Sequence, residues 1–519
     1  MSLEQIFQLP NNTYIFIPDL TINGGIDLIK AALADPNTKV YAGDAKRKTQ
    51  KQRWLQHKTY GAHTPNVSYI TTSNGVFIVE YTKYDTEYPE NTERMQELAV
   101  ELVKHFVSED GKIPSTPGGI VRDRLSTLMS EVENKKGFKR EDMPEDEWYY
   151  TFKSMMGGAV YNMKCNGAYR LVPFETHIDV HQLYAHIMKT EVFPDLRRGY
   201  KIELGYVPHT LGFYFIESGE VRLKENGFPL LSPVRRNNME ELECDREDYF
   251  RDWVKIPWPV LCEPDMKTLF ENYDVRNLFI SETMYYERPL ANYNWNGFID
   301  FIYNQRLTTT GGAKGLYKKL NEYVAGMFER KQEEMGKIWY DFSGPKPSKT
   351  KHHAFNCGIG SFITAYGRRR LSALLHSFPF EKIIGFDTDC VFFAGKPEEV
   401  PATVMKQFGD GMGQLHFDGI YHDVRHLAPK QYYGYDEDGE IFGKFSGVPN
   451  CDEVARELIA NNDDLIMTMP EAITQKWNQK IQCFEEFAAP INKLCIEKYE
   501  SSRRTDEEWL RKKHLIHGL

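Results

Sequence analysis

Hydrophobic and polar residues follow two different periods over the first 150 residues of the chain. Short apolar runs typical of strands alternate with segments whose apolar residues recur at helical spacing, such as residues 91–108. The strand-like runs are NTYIFIPDL, TKVYAG, VSYITT and GVFIVEY. This pattern predicts an α/β layer with its own core and a boundary near residue 150. Residues 115–121 and 139–148 are predicted to be loops.

The pattern changes beyond this boundary. Residues 160–290 favour strands and loops, whereas residues 292–336 favour two helices in a hairpin, interrupted at TTTGG (308–312). A further helix is predicted over residues 361–378. The tail from about residue 452 is predicted to be helical and highly charged.

Composition indicates a soluble globular protein, because 41% of the 519 residues are hydrophobic and 27% are charged. The formal net charge is −10, so there is no global basic field to attract nucleic acid. A nucleic-acid partner would have to be held by local patches, and residues 46–54 and 346–353 are candidates. A solvated surface loop explains either patch equally well.

The eight cysteines show no paired short spacing, so neither a zinc site nor a disulfide framework is indicated. A reduced, intracellular protein is the simpler interpretation. There is no apolar run of about 18 residues, and the N-terminus lacks a basic region followed by an apolar stretch. We therefore expect a protein that neither spans a membrane nor is secreted by a recognisable route.

Two acidic residues, Asp387 and Asp389, lie between apolar runs in FEKIIGFDTDCVFFAG (380–395). On a regular strand they would point to the same face and repel each other, so we expect a cation beside them. Asp179 ends another strand-like run, in HIDVHQLY. If folding brings the three aspartates together, two divalent cations about 3.5–4 Å apart could relieve the repulsion and support phosphoryl transfer. Oxygen ligands favour Mg²⁺, although DTD also occurs in turns that cap hairpins.

A basic stripe lies between the two acidic segments. Lys314, Lys318 and Glu322 are spaced at four-residue intervals on one helix face, and Arg306 precedes them. Such a stripe could bind a triphosphate by charge-assisted hydrogen bonds. An exposed, solvated helix face is the alternative interpretation.

The order of these elements resembles the palm and fingers of family B DNA polymerases, and most closely the protein-primed branch of small tailed bacteriophages. The first palm motif of that branch, D-x-x-S-L-Y-P, corresponds to DVHQLYA (179–185), which keeps Asp179, Leu183 and Tyr184. The D-T-D-S motif corresponds to DTDC, with Cys390 in place of serine.

Further matches extend the resemblance over residues 150–450. MMGG (155–158) is similar to the Y-x-G-G element that links the exonuclease and polymerase domains, with Met155 at the tyrosine position. GSFITAYGR (360–368) is similar to the segment before the catalytic strand. PKQYYGY contains the K-x-Y motif as Lys430 and Tyr432.

The resemblance implies a role for each matched residue. Asp179 and Asp389 would hold two Mg²⁺ ions, or Mn²⁺ in their place, assisted by the carbonyl of Val180 and supported by Asp387. Tyr184 would lie beneath the incoming sugar and exclude a 2′-hydroxyl group.

The remaining implied roles concern binding. Lys318 would bind the triphosphate, with help from Lys314 and Arg306. The implied DNA-binding residues are Gly157, Gly158, Lys430 and Tyr432, the last two at the primer terminus.

Two departures from the family pattern bear on activity. In the fingers motif K-x-x-x-N-S-x-Y-G, the chain has Glu322 for asparagine and Ala325 for tyrosine. An acid near a triphosphate costs affinity, and alanine offers no ring to pack on the nascent base pair. The N-terminal region lacks the carboxylate set of a proofreading exonuclease: Asp19 is followed by Thr21, and Tyr88 by Thr92.

The implied fold class is α+β, a right-hand polymerase with palm, fingers and thumb and an N-terminal α/β domain that is a degenerate exonuclease. The expected domains are an inactive exonuclease-like domain (1–150), the first part of the palm with a terminal-protein-type insertion (151–290), the fingers helices (291–336), the second part of the palm with the catalytic DTD strand (337–450), and a helical thumb or C-terminal region (451–519).

The implied function is template-directed DNA synthesis without proofreading, in protein-primed replication of a phage genome. The expected partners are template-primer DNA, deoxynucleoside triphosphates and a terminal protein primer, in the cytoplasm of a bacterial host. A template-independent or primase-like nucleotidyltransferase is the alternative enzyme. A third alternative, a non-catalytic binding protein that retains the fold, is disfavoured because three buried carboxylates without metal would be costly to keep.

Overall fold

We describe a computed structural model of the 519-residue chain. The residues that the structure describes are 8–11, 13–17, 39–41, 67–71, 77–81, 100–102, 104–106, 117–131, 145–162, 170–195, 199–231, 250, 252–290, 295–328, 338–341, 344–347, 357–428, 430–445, 451–460, 471–478 and 483–490. The chain divides into two compact units. Unit 1 comprises Met1–Lys139 and Tyr293–Met327, and unit 2 comprises Arg140–Asn292 and Phe328–Leu519.

Unit 1 contains a four-stranded sheet in the order β1-β4-β3-β2. The strands are β1 (Tyr14–Ile17), β2 (Lys39–Tyr41), β3 (Val67–Thr71) and β4 (Phe77–Tyr81). β1 pairs with β4 in parallel, and the other pairs are antiparallel. Each of the four predicted strand-like runs contains one of these strands, so those predictions are confirmed.

The helices of unit 1 are α1 (Pro117–Glu131), α5 (Asn296–Thr308) and α6 (Gly311–Gly326). The predicted helical hairpin is confirmed, with its break at residues 309–310. The loop predicted over residues 115–121 is wrong from Pro117 onward, because proline is well suited to the first position of a helix. Gly118 lies close to the end of α6: a Cβ there would approach Met327 Cε to 3.3 Å.

Unit 2 is built around a seven-stranded antiparallel sheet in the order β18-β17-β16-β6-β15-β14-β5. Its strands are β5 (Val160–Asn162), β6 (Arg170–Val180), β14 (Ile383–Asp387), β15 (Cys390–Ala394), β16 (Leu415–Ala428), β17 (Gln431–Asp436) and β18 (Ile441–Phe445). The central strand β6 lies between β15 and β16.

A second sheet of unit 2 has the order β10-β8-β11-β7, with β9 paired to β8. Its strands are β7 (Lys201–Leu204), β8 (Gly212–Leu223), β9 (Val254–Lys255), β10 (Val260–Cys262) and β11 (Tyr273–Tyr285). The two-stranded pairs are β12 (Ile338–Asp341) with β13 (Gly344–Pro347), and β19 (Glu471–Asn478) with β20 (Cys483–Pro490).

The helices of unit 2 are α2 (Glu145–Lys153), α3 (Leu183–Thr190), α4 (Glu263–Asn272), α7 (Cys357–Leu375), α8 (Ala402–Met405) and α9 (Cys451–Ala460). Two short 3₁₀ helices are Phe380–Lys382 and Pro397–Glu399. α7 is the predicted helix before the acidic segment, and it contacts α2, α3 and α4. Its buried residues include Ile359, Phe362 and Leu371, so it forms the core behind the site.

Two further sequence predictions are wrong in part. Residues 139–148 were expected to form a loop, but α2 begins at Glu145. The C-terminal region was expected to be helical, but after α9 the structure has the hairpin of β19 and β20. Its strands contain Ile473, Thr474 and Trp477, residue types that favour strands, whereas the prediction relied on the charge of the tail.

None of the helices within the described ranges has the length and apolar character needed to cross a membrane.

Candidate active site

The two acidic residues of DTDC lie in a hairpin turn rather than on a continuous strand. Asp387 ends β14 and Cys390 begins β15, and the two residues are paired across the hairpin. The N–H of Asp389 donates to the carbonyl of Asp387 at 2.6 Å, and Thr388 between them has φ 61°. A β-branched residue in this region is strained, and such strain is often found at active sites. Asp387 and Asp389 therefore do not lie on one regular strand, because DTD forms the turn of a hairpin.

Glycine at position 158 allows the acidic turn to pack closely on the preceding segment. The N–H of Thr388 donates to the carbonyl of Ala159 at 2.7 Å. A Cβ on Gly158 would lie 2.8 Å from the Thr388 side chain and from the hydroxyl oxygen of Tyr184. At Gly157 a Cβ would meet nothing within 4 Å. Of the two sequence-predicted glycines, only Gly158 is required by packing.

Asp179 lies beside this turn, although it precedes the turn's aspartates by about 200 residues along the chain. In the sheet, Asp179 on β6 is paired with Cys390 on β15 and with His416 on β16. The N–H of Val180 donates to the carbonyl of Asp389 at 3.1 Å. The structure thus brings the two acidic segments together at one end of adjacent strands.

The charges at this end of the sheet are unevenly compensated. Lys430 Nζ lies 3.1 Å from Asp387 Oδ1, which supplies the cation expected beside the pair. Burial, followed by repulsion from Asp387, raises the pKa of Asp389 to about 6 despite the opposing charge of Lys430. A further cation at Asp389 would therefore be stabilised.

Asp418 is a fourth carboxylate at this end of the sheet, and sequence reasoning missed it. It lies on β16 where the pairing with β6 shifts between Phe417 and Gly419. Its charge contributes to the raised pKa of Asp389. Burial, then the charges of Asp179 and Asp418, keep the pKa of the Cys390 thiol well above its usual range. A single aspartate without motif spacing gives no sequence signal, because the strand irregularity that places it is not visible in the pattern.

Two histidines also flank Asp179. The rings of His181 and His416 are stacked, with centroids 3.7 Å apart and planes within 1°. His416 Nε2 lies 3.8 Å from Asp179 Oδ2. His181 is part of the DVHQLY segment and could have been singled out from it, whereas His416 has no such signal.

Tyr184 enters the site through a tight turn from β6 into α3. Gln182 in this turn has φ 51°, and α3 begins at the next residue. The half-buried Tyr184 ring lies close to Gly367 as well as Gly158, since a Cβ on Gly367 would approach Tyr184 Cε1 to 2.9 Å. A strand-to-helix turn therefore connects Asp179 to Tyr184, while the role of the ring stays a prediction.

Arg368 on α7 is a second residue that sequence reasoning did not single out. Its guanidinium is buried and binds both carboxylate oxygens of Asp265, with distances of 2.8 and 2.6 Å. It also donates to the carbonyl oxygens of Met156 (2.9 Å) and Gly157 (2.6 Å). Arg368 thus fixes the segment that precedes Gly158. Its motif, GSFITAYGR, was quoted for the resemblance, but nothing in the sequence identifies Asp265 as its partner.

Lys430 and Tyr432 lie on the far side of the acidic turn from Gly158. Lys430 has φ 62° and leads into β17. Tyr432 is packed against the rings of His426, His177 and Phe392. Burial raises the pKa of its phenol.

The basic residues predicted to bind the triphosphate lie in unit 1. Arg306 is in the last turn of α5, and Lys314 and Lys318 are exposed on α6. Glu322 is exposed on the same helix face, as predicted, and its carboxylate is 2.7 Å from Lys319 Nζ. Ala325 is buried.

Several sequence predictions lie outside the described residues. These are Asp19, Thr21, Tyr88, Thr92, the basic patch 46–54, and residues 348–353 of the second patch.

The donors at the acidic end of the sheet fit a hard divalent cation. Across the ranges that the structure describes, no group of three or more His, Cys, Asp or Glu side chains is arranged to hold a metal ion. Mg²⁺, however, is usually bound by one or two carboxylates together with water and substrate phosphates. Asp179 and Asp389 lie on adjacent segments, and burial and then repulsion from Asp387 raise the pKa of Asp389, so these two carboxylates match that requirement.

Comparisons with known proteins bear on the fold. No protein-family model matches the sequence, and no curated protein matches it. The solved ternary complex of phi29 DNA polymerase with primer-template DNA and incoming nucleotide matches with a TM-score of 0.58 at 14% identity, over 81% of this chain and 82% of that chain.

Other solved structures of the same polymerase also match the fold of this chain. Its post-translocation binary complex with primer-template DNA has a TM-score of 0.58 at 14% identity, over 92% of this chain and 90% of that one. Its orthorhombic crystal form has a TM-score of 0.57 at 17% identity, over 78% and 72% of the two chains. The chain therefore has the mixed helix-and-strand fold of phi29 DNA polymerase, which confirms the resemblance at the level of fold.

Proposed function

We propose that the chain is a DNA-directed DNA polymerase that adds deoxynucleotides to a primer by nucleotidyl transfer. The observation that carries the proposal is the joining of two acidic segments, remote in sequence, by the hydrogen bond from Val180 N–H to the Asp389 carbonyl. The likeness of the fold to phi29 DNA polymerase, whose solved complexes hold primer-template DNA and nucleotide, supports it.

Asp179 and Asp389 are the proposed metal ligands, with the carbonyl of Val180 as a further oxygen donor. When bound, two Mg²⁺ ions would stabilise the charge on the attacking and leaving oxygens of the transfer. Asp387 acts differently, because it is already paired with Lys430 at 3.1 Å. We assign to it the positioning of Lys430.

Tyr184 is the proposed steric gate for the sugar. Contacts with Gly158 and Gly367 restrict the ring, so it cannot simply move aside for a 2′-hydroxyl group. Lys430 and Tyr432 would hold the primer terminus. Lys314, Lys318 and Arg306 would bind the triphosphate, and pairing with Lys319 reduces the repulsion expected from Glu322.

The finer biological assignment is also a proposal. We infer priming by a hydroxyl of a terminal protein, a non-proofreading N-terminal domain, and replication of a phage genome in bacterial cytoplasm. The palm, fingers and thumb boundaries and the terminal-protein insertion at 189–290 belong to the same proposal. These follow from the motif resemblance and from the likeness to phi29 DNA polymerase.

Extension of a labelled primer in Mg²⁺, with each nucleotide supplied separately, tests the proposal. We expect addition of the deoxynucleotide complementary to the template and no addition without template. Addition of any nucleotide regardless of template would favour the template-independent enzyme. A preference for ribonucleotides without a primer would favour the primase-like one.

A further inference from the structure

Three ionisable side chains lie buried in the seven-stranded sheet near Asp179. Glu175 and His177 precede Asp179 on β6, and His426 lies on the neighbouring strand β16. They are 0%, 2% and 7% exposed, respectively. His177 Nε2 is 2.6 Å from Glu175 Oε1, and His426 Nε2 is 2.7 Å from Glu175 Oε2. We call Glu175, His177 and His426 the Glu175 triad.

The triad holds Glu175 as a carboxylate inside the protein. Burial pushes the pKa of Glu175 upward, but the charge of His426 and the hydrogen bonds from both imidazoles outweigh burial and lower the pKa. Each carboxylate oxygen has one imidazole partner, so both rings are fixed in orientation. Buried ionic groups rarely stabilise a core more than apolar residues of the same volume do, and their best-attested role is to select one geometry.

Both imidazoles of the triad contact Tyr432. His426 is directly opposite Tyr432 in the β16–β17 register, and their rings stack at 5.2 Å with 24° between the planes. His177 meets the same ring edge-on, at 5.4 Å and 72°. Glu175 therefore sets the positions of two rings that together orient Tyr432.

The strands around the triad are irregular, so their register needs to be fixed. The pairing of β16 with β17 shifts twice, between His422 and Arg425 and between His426 and Ala428. A slip of one residue would move Tyr432 to the opposite face of the sheet. The bond from Glu175 to His426 ties β16 to β6 between these two irregularities.

Lys430 depends on the same hairpin. It lies in the tight connection between β16 and β17 with φ 62°, and from there its Nζ reaches Asp387. A change in the position of β17 would move both Lys430 and Tyr432 relative to the acidic turn.

We propose that Glu175 is a positioning residue for the primer end of the growing strand, acting through His177 and His426 on Tyr432 and Lys430. This inference rests on the proposed function, which assigns Lys430 and Tyr432 to the primer terminus. No motif of the sequence contains the triad, because its three members come together only when β16 pairs with β6.

Glu175→Gln tests the inference. The amide keeps the size of the side chain, but it offers one oxygen where the carboxylate offers two, so one imidazole loses its acceptor. We expect the KM for primer-template in single-nucleotide addition to rise about tenfold, since a lost buried hydrogen-bond partner has effects of this order. The KM for the nucleotide should stay within about twofold of wild type.

Glu147→Gln is the matched control. Glu147 is also a fully buried glutamate of unit 2, and it accepts a hydrogen bond from the Tyr286 hydroxyl at 2.6 Å. Loss of stability alone would reduce the amount of active protein in both variants and leave each KM unchanged. Equal primer-template KM values for wild type, Glu175→Gln and Glu147→Gln would overturn the inference, as would an equal rise in the nucleotide KM.

His426→Gln gives a second test if Glu175→Gln does not fold. The glutamine amide can still donate to Glu175, but it removes the ring that stacks on Tyr432. A folded His426→Gln variant should show the same rise in the primer-template KM, and wild-type behaviour would overturn the inference.

Direct binding separates this inference from the proposed function. Anisotropy of a labelled primer-template duplex, in chelator, measures affinity without catalysis. A wild type that binds the duplex but never extends it contradicts the proposed function only. A wild type that extends primers, with Glu175→Gln binding the duplex as tightly as wild type does, contradicts the positioning role only.

Discussion

At the scale of single residues, the acidic turn depends on close approaches that a larger side chain would prevent. Thr388 is in the left-handed region, and it packs with Tyr184 against the Cα of Gly158. Asp389 carries a raised pKa because the turn buries it beside Asp387. Each of these features can be tested by one substitution.

Gly158→Ala should destabilise the protein and slow primer extension. The added Cβ would lie 2.8 Å from Thr388 and from the Tyr184 hydroxyl, so the acidic turn must shift. Overpacking of this kind typically costs about 1–3 kcal/mol. Gly157→Ala is the control, with an expected change within about 0.5 kcal/mol because its Cβ would meet nothing. Urea denaturation measures the stability of the two variants, and primer extension measures their rates. Equal stability and equal rates would contradict the close packing of the acidic turn on Gly158.

Asp389→Asn should stabilise the metal-free protein while abolishing activity. Because the folded-state pKa of Asp389 is raised to about 6, the folded state resists ionisation of this group. The penalty in folding free energy is absent below the unfolded-state pKa of about 4, grows between about pH 4 and 6, and stays constant above, at about 3 kcal/mol.

Urea denaturation in chelator, at pH 7.5 and at pH 4.5, measures the difference in the free energy of unfolding between Asp389→Asn and wild type. Asp252→Asn, at an exposed position remote in sequence from the acidic turn, is the control. We expect Asp389→Asn to raise the free energy of unfolding more at pH 7.5 than at pH 4.5. No increase at pH 7.5, or an equal increase at both pH values, would show that ionisation of Asp389 does not destabilise the folded state.

Tyr184→Val should raise ribonucleotide incorporation relative to deoxyribonucleotide incorporation, with template dependence kept. The ring is held between Gly158 and Gly367, so its removal opens space that no neighbouring side chain fills at once. Tyr206→Val, at a tyrosine that is 51% exposed, controls for the loss of a ring elsewhere. An unchanged ratio of ribonucleotide to deoxyribonucleotide incorporation in a folded Tyr184→Val variant would show that Tyr184 is not a steric gate.

At the scale of elements, the buried pair of Arg368 and Asp265 joins α7 to α4 and to the segment before Gly158. Arg368 makes four hydrogen bonds, two to Asp265 and one each to the carbonyls of Met156 and Gly157. These bonds set the distance between the core helix and the acidic end of the sheet.

Arg368→Ala should therefore lower the free energy of unfolding by about 3–5 kcal/mol, since it leaves Asp265 buried without its partner. The neighbouring Arg369 is exposed, and Arg369→Ala should change stability by less than about 0.5 kcal/mol. The double variant Arg368→Met, Asp265→Leu should recover much of the loss, because apolar replacement removes both charges. The midpoints of urea denaturation measure the stability of all three variants. A small loss of stability in Arg368→Ala would contradict the expected cost and mean that water solvates Asp265 in place of the guanidinium.

The elements also show what the sequence could predict. Strong local patterns of apolar and polar residues were sufficient to predict the strands of unit 1, the α5–α6 hairpin and α7. The turn at Thr388 was only an alternative prediction, because Asp387 and Asp389 lie between apolar runs that resemble one strand. Pairing of Arg368 with Asp265, or of Glu175 with His426, joins residues far apart in the chain, and no local pattern carries that information. The motif order singled out Asp179, Asp387 and Asp389, whose segments the structure brings together, whereas the positions of Asp418 and His416 depend on the β16 register.

At the scale of the whole molecule, the formal net charge is −10, and the seven-stranded sheet also has an acidic end. Binding of a polyanion must then rely on local cations such as Lys430, and it should weaken steeply with salt. The chain shares its fold with phi29 DNA polymerase at 14% identity, so this fold is kept while most of the sequence differs.

Single-turnover addition of one complementary deoxynucleotide to a primer on a defined template, in Mg²⁺, tests whether Asp179 and Asp389 support the nucleotidyl transfer. The wild type and the Asp252→Asn control should extend the primer at the same rate. Asp179→Asn and Asp389→Asn, folded by circular dichroism, should lose at least about a thousandfold in rate, because each removes a charge that stabilises the transfer. Extension by either folded variant at the wild-type rate would contradict the assignment of the active site.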